Sequence, residues 1–342
     1  MRGTKFQRRA GRQRCGDLPL LCIIDRAVKT NCSRPIHGGS IVSRVNELFP
    51  GLVLGIGKNA AWIALEGEAV PRIAALKRMR GEREMPVSGD RVEARILEDE
   101  TALIERILPR ASTLTRRIAR GRSKVMAANI DTLVTVTSLA DPPPRLTTLD
   151  QLLVYSELEG ITAMVIFTKP DRSAPSLRTE LASLYESLGY TTLVVNPKTC
   201  QNMDTLRKNL EGRKAMLAGV SGVGKSSIFR ALGGEAIIGE LSSAGLGKQT
   251  TSTARLYRLP AGFLIDSPGV AEFGLGEATP AEVLQGFPEL RERAAQCRFN
   301  DCNHLSEPDC AVRTAVAAGA ISPSRYESYR RILEMCYTPP RA

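Results

Sequence analysis

The 342-residue sequence contains no apolar run approaching ~18 residues, so no membrane-spanning helix is expected. Its start makes a poor secretory signal, because the apolar stretch Leu18–Ile24 is short and flanked by Asp17 and Asp25. No internal repeat is present, which sets aside solenoids and propellers. Histidine is scarce, with His37 and His304 the two in the chain. The eight cysteines do not form a disulfide framework. Cys15, Cys22, Cys32, Cys200 and Cys336 are scattered, while Cys297, Cys302 and Cys310 cluster around His304. That usage fits a reducing cytoplasm and one metal site.

Hydrophobic residues make up 43% and charged residues 24%, enough apolar material to bury real cores. The length suits two to three domains. The net charge of +11 is uneven. Residues 1–40 hold nine basic side chains against Asp17 and Asp25, leaving +4 for the rest of the chain. A basic arm on a mildly basic body suits a polyanion such as RNA, because each neutralised phosphate releases condensed counterions.

Residues 1–40 lack periodicity and read as a basic, disordered tail. Over 41–112, short β-branched runs (Leu52–Ile56, Ala61–Leu65, Asp90–Ile96) alternate with glycine-bearing turns, which predicts a five-stranded OB-type barrel. Residues 113–126, with the basic stretch Arg116–Arg122, read as a linker. Over 127–282, strands at Asp131–Leu139, Ala163–Phe167 and Thr192–Val195 alternate with helical segments at Leu149–Glu159 and Leu177–Leu188, the pattern of a parallel α/β sheet. Residues 283–342 read as mostly helical around the cysteines.

Gly219-Val220-Ser221-Gly222-Val223-Gly224-Lys225-Ser226 fits G-x-x-x-x-G-K-[ST], after the apolar strand Ala215–Ala218 and before a helical run at Ser227–Leu232. Its glycines let backbone N–H groups, through Ser227, curl around a phosphate at a helix start. Lys225 is expected to reach the β- and γ-oxygens and Ser226 to hold Mg²⁺. Downstream, Asp266-Ser267-Pro268-Gly269 ends another strand. Asp266 is placed to hold Mg²⁺ through water, and the Gly269 N–H to sense the γ-phosphate. Between them, the loop Gly247–Thr253 offers Thr251 as a further magnesium ligand.

Thr168-Lys169-Pro170-Asp171 follows the strand ending at Phe167. A carboxylate at Asp171 can accept both guanine N1–H and N2–H₂, and Lys169 can lie along the base. This resembles the N-K-x-D base motif of GTPases, with Thr168 in the asparagine position. In ordinary GTPases the base motif follows the phosphate loop, whereas here it precedes it. A sheet tolerates that circular permutation because its binding loops meet at the strands' carboxyl ends whatever their chain order.

Cys297, Cys302, His304 and Cys310 give C-x4-C-x-H-x5-C. Three thiolates and an imidazole close a tetrahedral, structural Zn²⁺ site. The closed set predicts that metal loss unfolds residues after about Pro280 while sparing nucleotide binding.

Together these features resemble the ribosome small-subunit-dependent GTPase A family. The resemblance runs from about Ile41 onward and includes Ser88-Gly89-Asp90-Arg91-Val92, Ala127-Ala128-Asn129-Ile130-Asp131, the phosphate loop, the threonine-rich loop, DSPGVAEFGL and the zinc spacing. It implies an OB barrel, a permuted P-loop GTPase domain and a helical zinc domain. It further implies a cytoplasmic factor, expected to be monomeric, acting on the 30S subunit and its 16S rRNA late in maturation. Hydrolysis would be slow alone and faster on the subunit. Three positions depart from the family: Thr168, Gln249 where it often has histidine, and Asn196-Pro197-Lys198 where it often has Ser-Ala-Lys. Pro197 has no N–H for guanine O6, so weaker base binding is expected. Val270 and Ala271 follow DSPG, where many GTPases carry a water-orienting glutamine, and Gln249 is the candidate substitute. Two other readings are an RNA-binding adaptor with a weakened nucleotide site and a metabolic P-loop kinase.

Overall fold

The computed structural model describes residues 47–57, 60–68, 70–76, 85–118, 122–233, 235–236, 255–259, 262–266, 275 and 278–337; the tail expected at 1–40 lies outside them. Strand β1 (Leu48–Ile56) pairs antiparallel with β2 (Ala60–Leu65), and β2 with β3 (Arg72–Ala75). β3 runs parallel to β5 (Ala102–Ile107), which pairs with β4 (Arg91–Ile96), and β4 returns to β1. The closed order β1-β2-β3-β5-β4 is that of the expected OB-type barrel. Inward positions alternate along the strands: β4 buries Val92, Ala94 and Ile96, which meet Val53, Ile63, Leu65, Ala74 and Ile104 in the interior.

The stretch expected as a linker, 113–126, lies within a paired hairpin of β6 (Thr113–Ile118) and β7 (Arg122–Ala128). Its basic residues suggest a linker, but its apolar ones decide its place. Leu114, Met126 and Ala127 are buried in a core shared with Leu52, Leu54 and Trp62 of the barrel and Leu133 and Tyr155 beyond. The Tyr155 hydroxyl accepts the Thr115 N–H and donates to the Thr113 carbonyl, both at 3.0 Å.

The two family-resembling segments of no evident chemistry meet at this junction. The Gly89 N–H donates to the Val53 carbonyl and the Ala128 N–H to the Ser88 carbonyl. Asn129 Nδ2 donates to the Gly89 carbonyl at 2.9 Å, while its Oδ1 accepts the Ala111 N–H. A Cβ on Gly89 would lie 2.1 Å from the Ala128 oxygen, so this close approach requires glycine. Asp90, fully buried, takes a two-pronged bond from Arg110 at 2.7 and 2.8 Å.

The sheet continues in the order β10 (Thr191–Val195), β9 (Thr162–Thr168), β8 (Thr132–Ser138), β11 (Lys214–Ala218), β14 (Gly262–Asp266), β13 (Arg255–Leu259), with the short β12 (Glu235–Ala236) paired to β13. From β10 to β14 the neighbours are parallel, and β13 is antiparallel to both β14 and β12. β8 and β9 precede β11 in the chain yet lie beside it, as the permuted order requires. Every residue of β8 is buried: Leu133 faces the core shared with the barrel, while Val134 and Val136 face Met164, Leu206 and Ile228 on the other side. Such two-sided burial makes a near-continuous apolar strand. The barrel joins the sheet at the bridge Gly55↔Arg255.

Helices α1 (Leu146–Leu158), α2 (Pro175–Ser187), α3 (Met203–Asn209) and α4 (Lys225–Ala231) link the strands. Beyond them, α5 (Pro280–Gln285), α6 (Pro288–Ala294), α7 (Ala311–Ala317) and α8 (Pro323–Tyr337) surround a core of Val283, Phe287, Leu290, Val312, Tyr329 and Ile332, joined by Val154 of α1. Helix α5 starts with a capping box between Thr279 and Glu282. Among the described residues, no helix is long and apolar enough to cross a membrane.

Candidate nucleotide site and cysteine–histidine cluster

Three of the sequence segments converge at the carboxyl ends of β9, β10 and β11. The loop 219–224 leaves β11 and enters α4 through Gly224, at φ 102°. Gly219, at φ 146°, could not carry a side chain: its Cβ would lie 2.1 Å from the Val136 oxygen. Lys225 Nζ donates to the Gly219 and Val220 carbonyls at 2.7 and 2.8 Å, so the ammonium bends over the loop's first residues. Val223 is buried and fixes the middle of the loop, whereas Ser221, Gly222 and Ser226 are exposed.

The segment after β9 clasps this loop. Thr168 is buried and donates its hydroxyl hydrogen to the Val223 carbonyl at 2.5 Å. Lys169 takes a left-handed backbone, and its Nζ donates to the Gly222 carbonyl at 2.8 Å and to the Asp141 carbonyl. Pro142 lies against Gly222. The Asp141–Pro144 turn, which sequence reasoning treats only as a chain break, therefore forms one wall of the site.

Pro170 is buried and opens a short 3-10 turn that presents Asp171, whose side chain is about half exposed (51%). Asn196, at the end of β10, is buried; its Nδ2 donates to Asp171 Oδ1 at 3.0 Å, and its Oδ1 accepts the Lys198 N–H at 3.1 Å. Asn196 thus holds the carboxylate while the Lys198 N–H is already engaged, and Pro197 between them has none to offer. Sequence reasoning places Asn196 at the base but not as the support of Asp171.

Asp266 closes β14, and the register Met216↔Ile265 sets it at the same end of the sheet as Gly219. The Asp266 side chain, Gln249, Thr251 and Gly269 lie outside the described residues.

In the C-terminal helical unit, one ligand atom from each of Cys297, Cys302, His304 and Cys310 lies within 4.8 Å of the others. His304 Nδ1 is 3.5 Å from the Cys297 and Cys310 sulfurs, which are 3.9 Å apart. Zn–S bonds of about 2.3 Å in a tetrahedron give sulfur–sulfur edges of about 3.8 Å, so the donor set fits zinc. Burial pushes the Cys302 thiol up and the His304 imidazolium down. Glu307, invisible to ligand spacing, shapes the loop: its carboxylate accepts the N–H groups of Asn303, Leu305 and Ser306 at 2.9 to 3.0 Å. Desolvation would raise its pKa, but these donors outweigh it and hold the group at about 2.

A family model described as RsgA GTPase matches residues 107–276. The small ribosomal subunit biogenesis GTPase RsgA of Sodalis glossinidius is 38% identical over 261 residues, covering 72% of this chain and 75% of that protein. Its counterpart in Chromohalobacter salexigens is 40% identical over 281 residues, covering 79% and 82%. Among solved structures, YjeQ from Thermotoga maritima aligns with a TM-score of 0.70 and 29% identity over 86% of this chain and all of that one. YloQ, described as a circularly permuted GTPase, aligns with a TM-score of 0.67 and 24% identity over 86% of this chain and 98% of that one, a likeness of fold alone.

Proposed function

The chain belongs to the RsgA GTPase family, and from that premise we propose that it hydrolyses GTP as an assembly factor of the small ribosomal subunit. The observation that carries this reading is the clasp of the base-motif segment on the phosphate loop, through Thr168 to Val223 and Lys169 to Gly222. Such a clasp couples recognition of a base to the position of its phosphates.

In this reading the backbone N–H groups of Gly219–Ser227 cradle the β-phosphate, and Lys225 exchanges its loop carbonyls for β- and γ-oxygens. Asp171, steadied by Asn196, accepts N1–H and N2–H₂ of guanine. Lys169 spans Gly222 and Asp141 with its stem along the base. Ser226, Thr251 and Asp266 would hold a magnesium ion, and Ser226 at the start of α4 and Asp266 at the end of β14 stand at the same end of the sheet. When bound, that ion screens the negative charge building on the phosphates. Gly269 would sense the γ-phosphate, and Gln249 would orient the attacking water.

Catalysis of phosphoryl transfer is mostly positioning and charge stabilisation. With Val270 and Ala271 after DSPG, the isolated protein lacks a fixed water-holder there and turns over slowly. The 30S subunit would supply order or a missing group. Contact with 16S rRNA is supported by the +11 net charge and by the basic hairpin, whose register sets Arg116 opposite Lys124. The Cys297, Cys302, His304 and Cys310 cluster would hold one structural Zn²⁺. A cytoplasmic monomer is the state this function calls for.

GTP turnover measured with and without purified 30S subunits tests the proposal. Acceleration on the subunit is expected; a rate that 30S leaves unchanged would remove the assembly role. The adaptor reading loses ground to the GTPase membership, and the kinase reading predicts no response to ribosomes.

A further inference from the structure

Helix α8 carries Arg325, a fully buried arginine. Its Nη1 donates to Asp150 Oδ1 at 2.6 Å, its Nε to Glu289 Oε1 at 2.7 Å and its Nη2 to the Gly286 carbonyl at 3.0 Å. The guanidinium lies 4.3 Å from the Phe287 ring centroid. Asp150 belongs to α1, on the nucleotide-binding side, and is also fully buried. Oδ1 accepts a second bond from the Tyr185 hydroxyl at 2.7 Å, while Oδ2 has no partner among the described residues. The carboxylate therefore depends on Arg325 for its charge balance, although the two residues are 175 positions apart.

Both ends of this pair lead to a site. On the far side, the residues next to Arg325 hold the cysteine–histidine loop. The Tyr326 hydroxyl donates to the His304 carbonyl at 2.6 Å, and the Tyr329 hydroxyl to the Asn303 carbonyl at 3.2 Å. The Tyr329 ring stands edge-on to Phe287, the ring under Arg325. On the near side, Thr148, Leu149 and Leu152 of α1 border one small cavity with Gly219 and Val220 of the phosphate loop.

We infer that zinc occupancy controls the nucleotide site through this pair: the metal-organised loop sets α8, α8 delivers Arg325, and Arg325 lets α1 keep Asp150 buried and so hold its Thr148, Leu149 and Leu152 face beside the phosphate loop. The inference rests on the zinc reading above. It replaces the expectation from sequence that metal loss spares nucleotide binding. Removing one partner of a buried pair leaves a charge the interior cannot accommodate, so the helix turn that carries it must shift or open. Close packing passes that shift to Gly219 and Val220.

The test uses the full-length protein, zinc-loaded and chelator-stripped, with zinc content measured in each sample. The readouts are affinity for a fluorescent GDP analogue and hydrogen exchange of the α1 amides. Stripping is expected to weaken GDP binding about tenfold or more and to speed exchange across Leu146–Leu158 by a similar factor. Zinc-loaded Arg325→Met should show the same two losses while keeping one zinc per chain. Asp150→Leu combined with Arg325→Met removes both charges and should no longer respond to stripping. Three results would each overturn the coupling: a stripped wild type with unchanged α1 exchange and GDP affinity, a zinc-loaded Arg325→Met that behaves as wild type, or a double variant that still responds. A purified protein without zinc would instead overturn the metal reading beneath it. The chelator arm needs no variant to fold.

Discussion

Thr168 donates to the Val223 carbonyl at 2.5 Å across 55 positions of chain, joining the base-motif strand to the centre of the phosphate loop. Read from sequence, threonine in place of asparagine weakens the base site. In the structure the side chain is 1% exposed and its hydroxyl is engaged by the loop. The threonine at this position therefore ties the two halves of the site together.

That tether sets the first prediction. Thr168→Val keeps the shape and removes the donor, leaving the Val223 carbonyl short of one bond. The expected cost is about 1–2 kcal/mol, or roughly 5–30-fold in nucleotide affinity, shared equally by GTP and GDP. Titration with fluorescent analogues measures it; an unchanged affinity would show that the tether does not support the site.

Guanine selectivity is expected to rest on Asp171, with Asn196 as its support. Asp171→Asn reverses one donor–acceptor pairing, so it should weaken GTP and favour xanthine nucleotides. Asn196→Ala should lose less, about 1 kcal/mol or some fivefold, because the carboxylate stays but is no longer held. Competition among GTP, XTP and ATP separates the two variants. Equal losses in both would argue against the division of roles.

Glu307 gathers three backbone N–H groups of the cysteine–histidine loop, those of Asn303, Leu305 and Ser306. Glu307→Ala should reduce zinc affinity about 10–100-fold without touching a ligand, as loss of an outer-shell support does. Chelator competition at neutral pH gives the ratio directly. Wild-type affinity in that variant would mean the four ligands alone shape the loop.

A buried ion pair ties the turn before β4 to the segment that leaves β5. Asp90→Ala strands the Arg110 guanidinium, whose side chain is 8% exposed, and should destabilise the protein by about 3–5 kcal/mol. Denaturant unfolding of the full-length protein reports the change. Joint replacement by Asp90→Leu and Arg110→Met should recover most of it, which a merely local disturbance would not.

Slow intrinsic turnover is the last expectation. Gln249→Ala should lower the 30S-stimulated rate more than the basal one, because the side chain is expected to orient the attacking water on the subunit. Fast turnover by the isolated protein would contradict this account, as would a Gln249→Ala variant equal to wild type in both assays.

The sequence by itself determined what is local. Glycine spacing with flanking strand and helix marks the phosphate loop, because backbone conformation there is fixed within a few residues. Alternating apolar residues mark the barrel strands, and the cysteine–histidine spacing marks a ligand set that one short loop can close. The hairpin at 113–128 was obscured by its run of basic residues, whereas the burial of Leu114, Met126 and Ala127 depends on a barrel and a helix far away in the chain. Tertiary structure alone decided the rest. Asp150 and Arg325 look like ordinary surface charges on two amphipathic helices until packing removes both from water. Glu307, Asn196 and Asn129 act on backbone groups or side chains brought to them by the fold. Hydrogen bonds and buried charges depend on three-dimensional distance and on exclusion of solvent, neither of which linear spacing encodes.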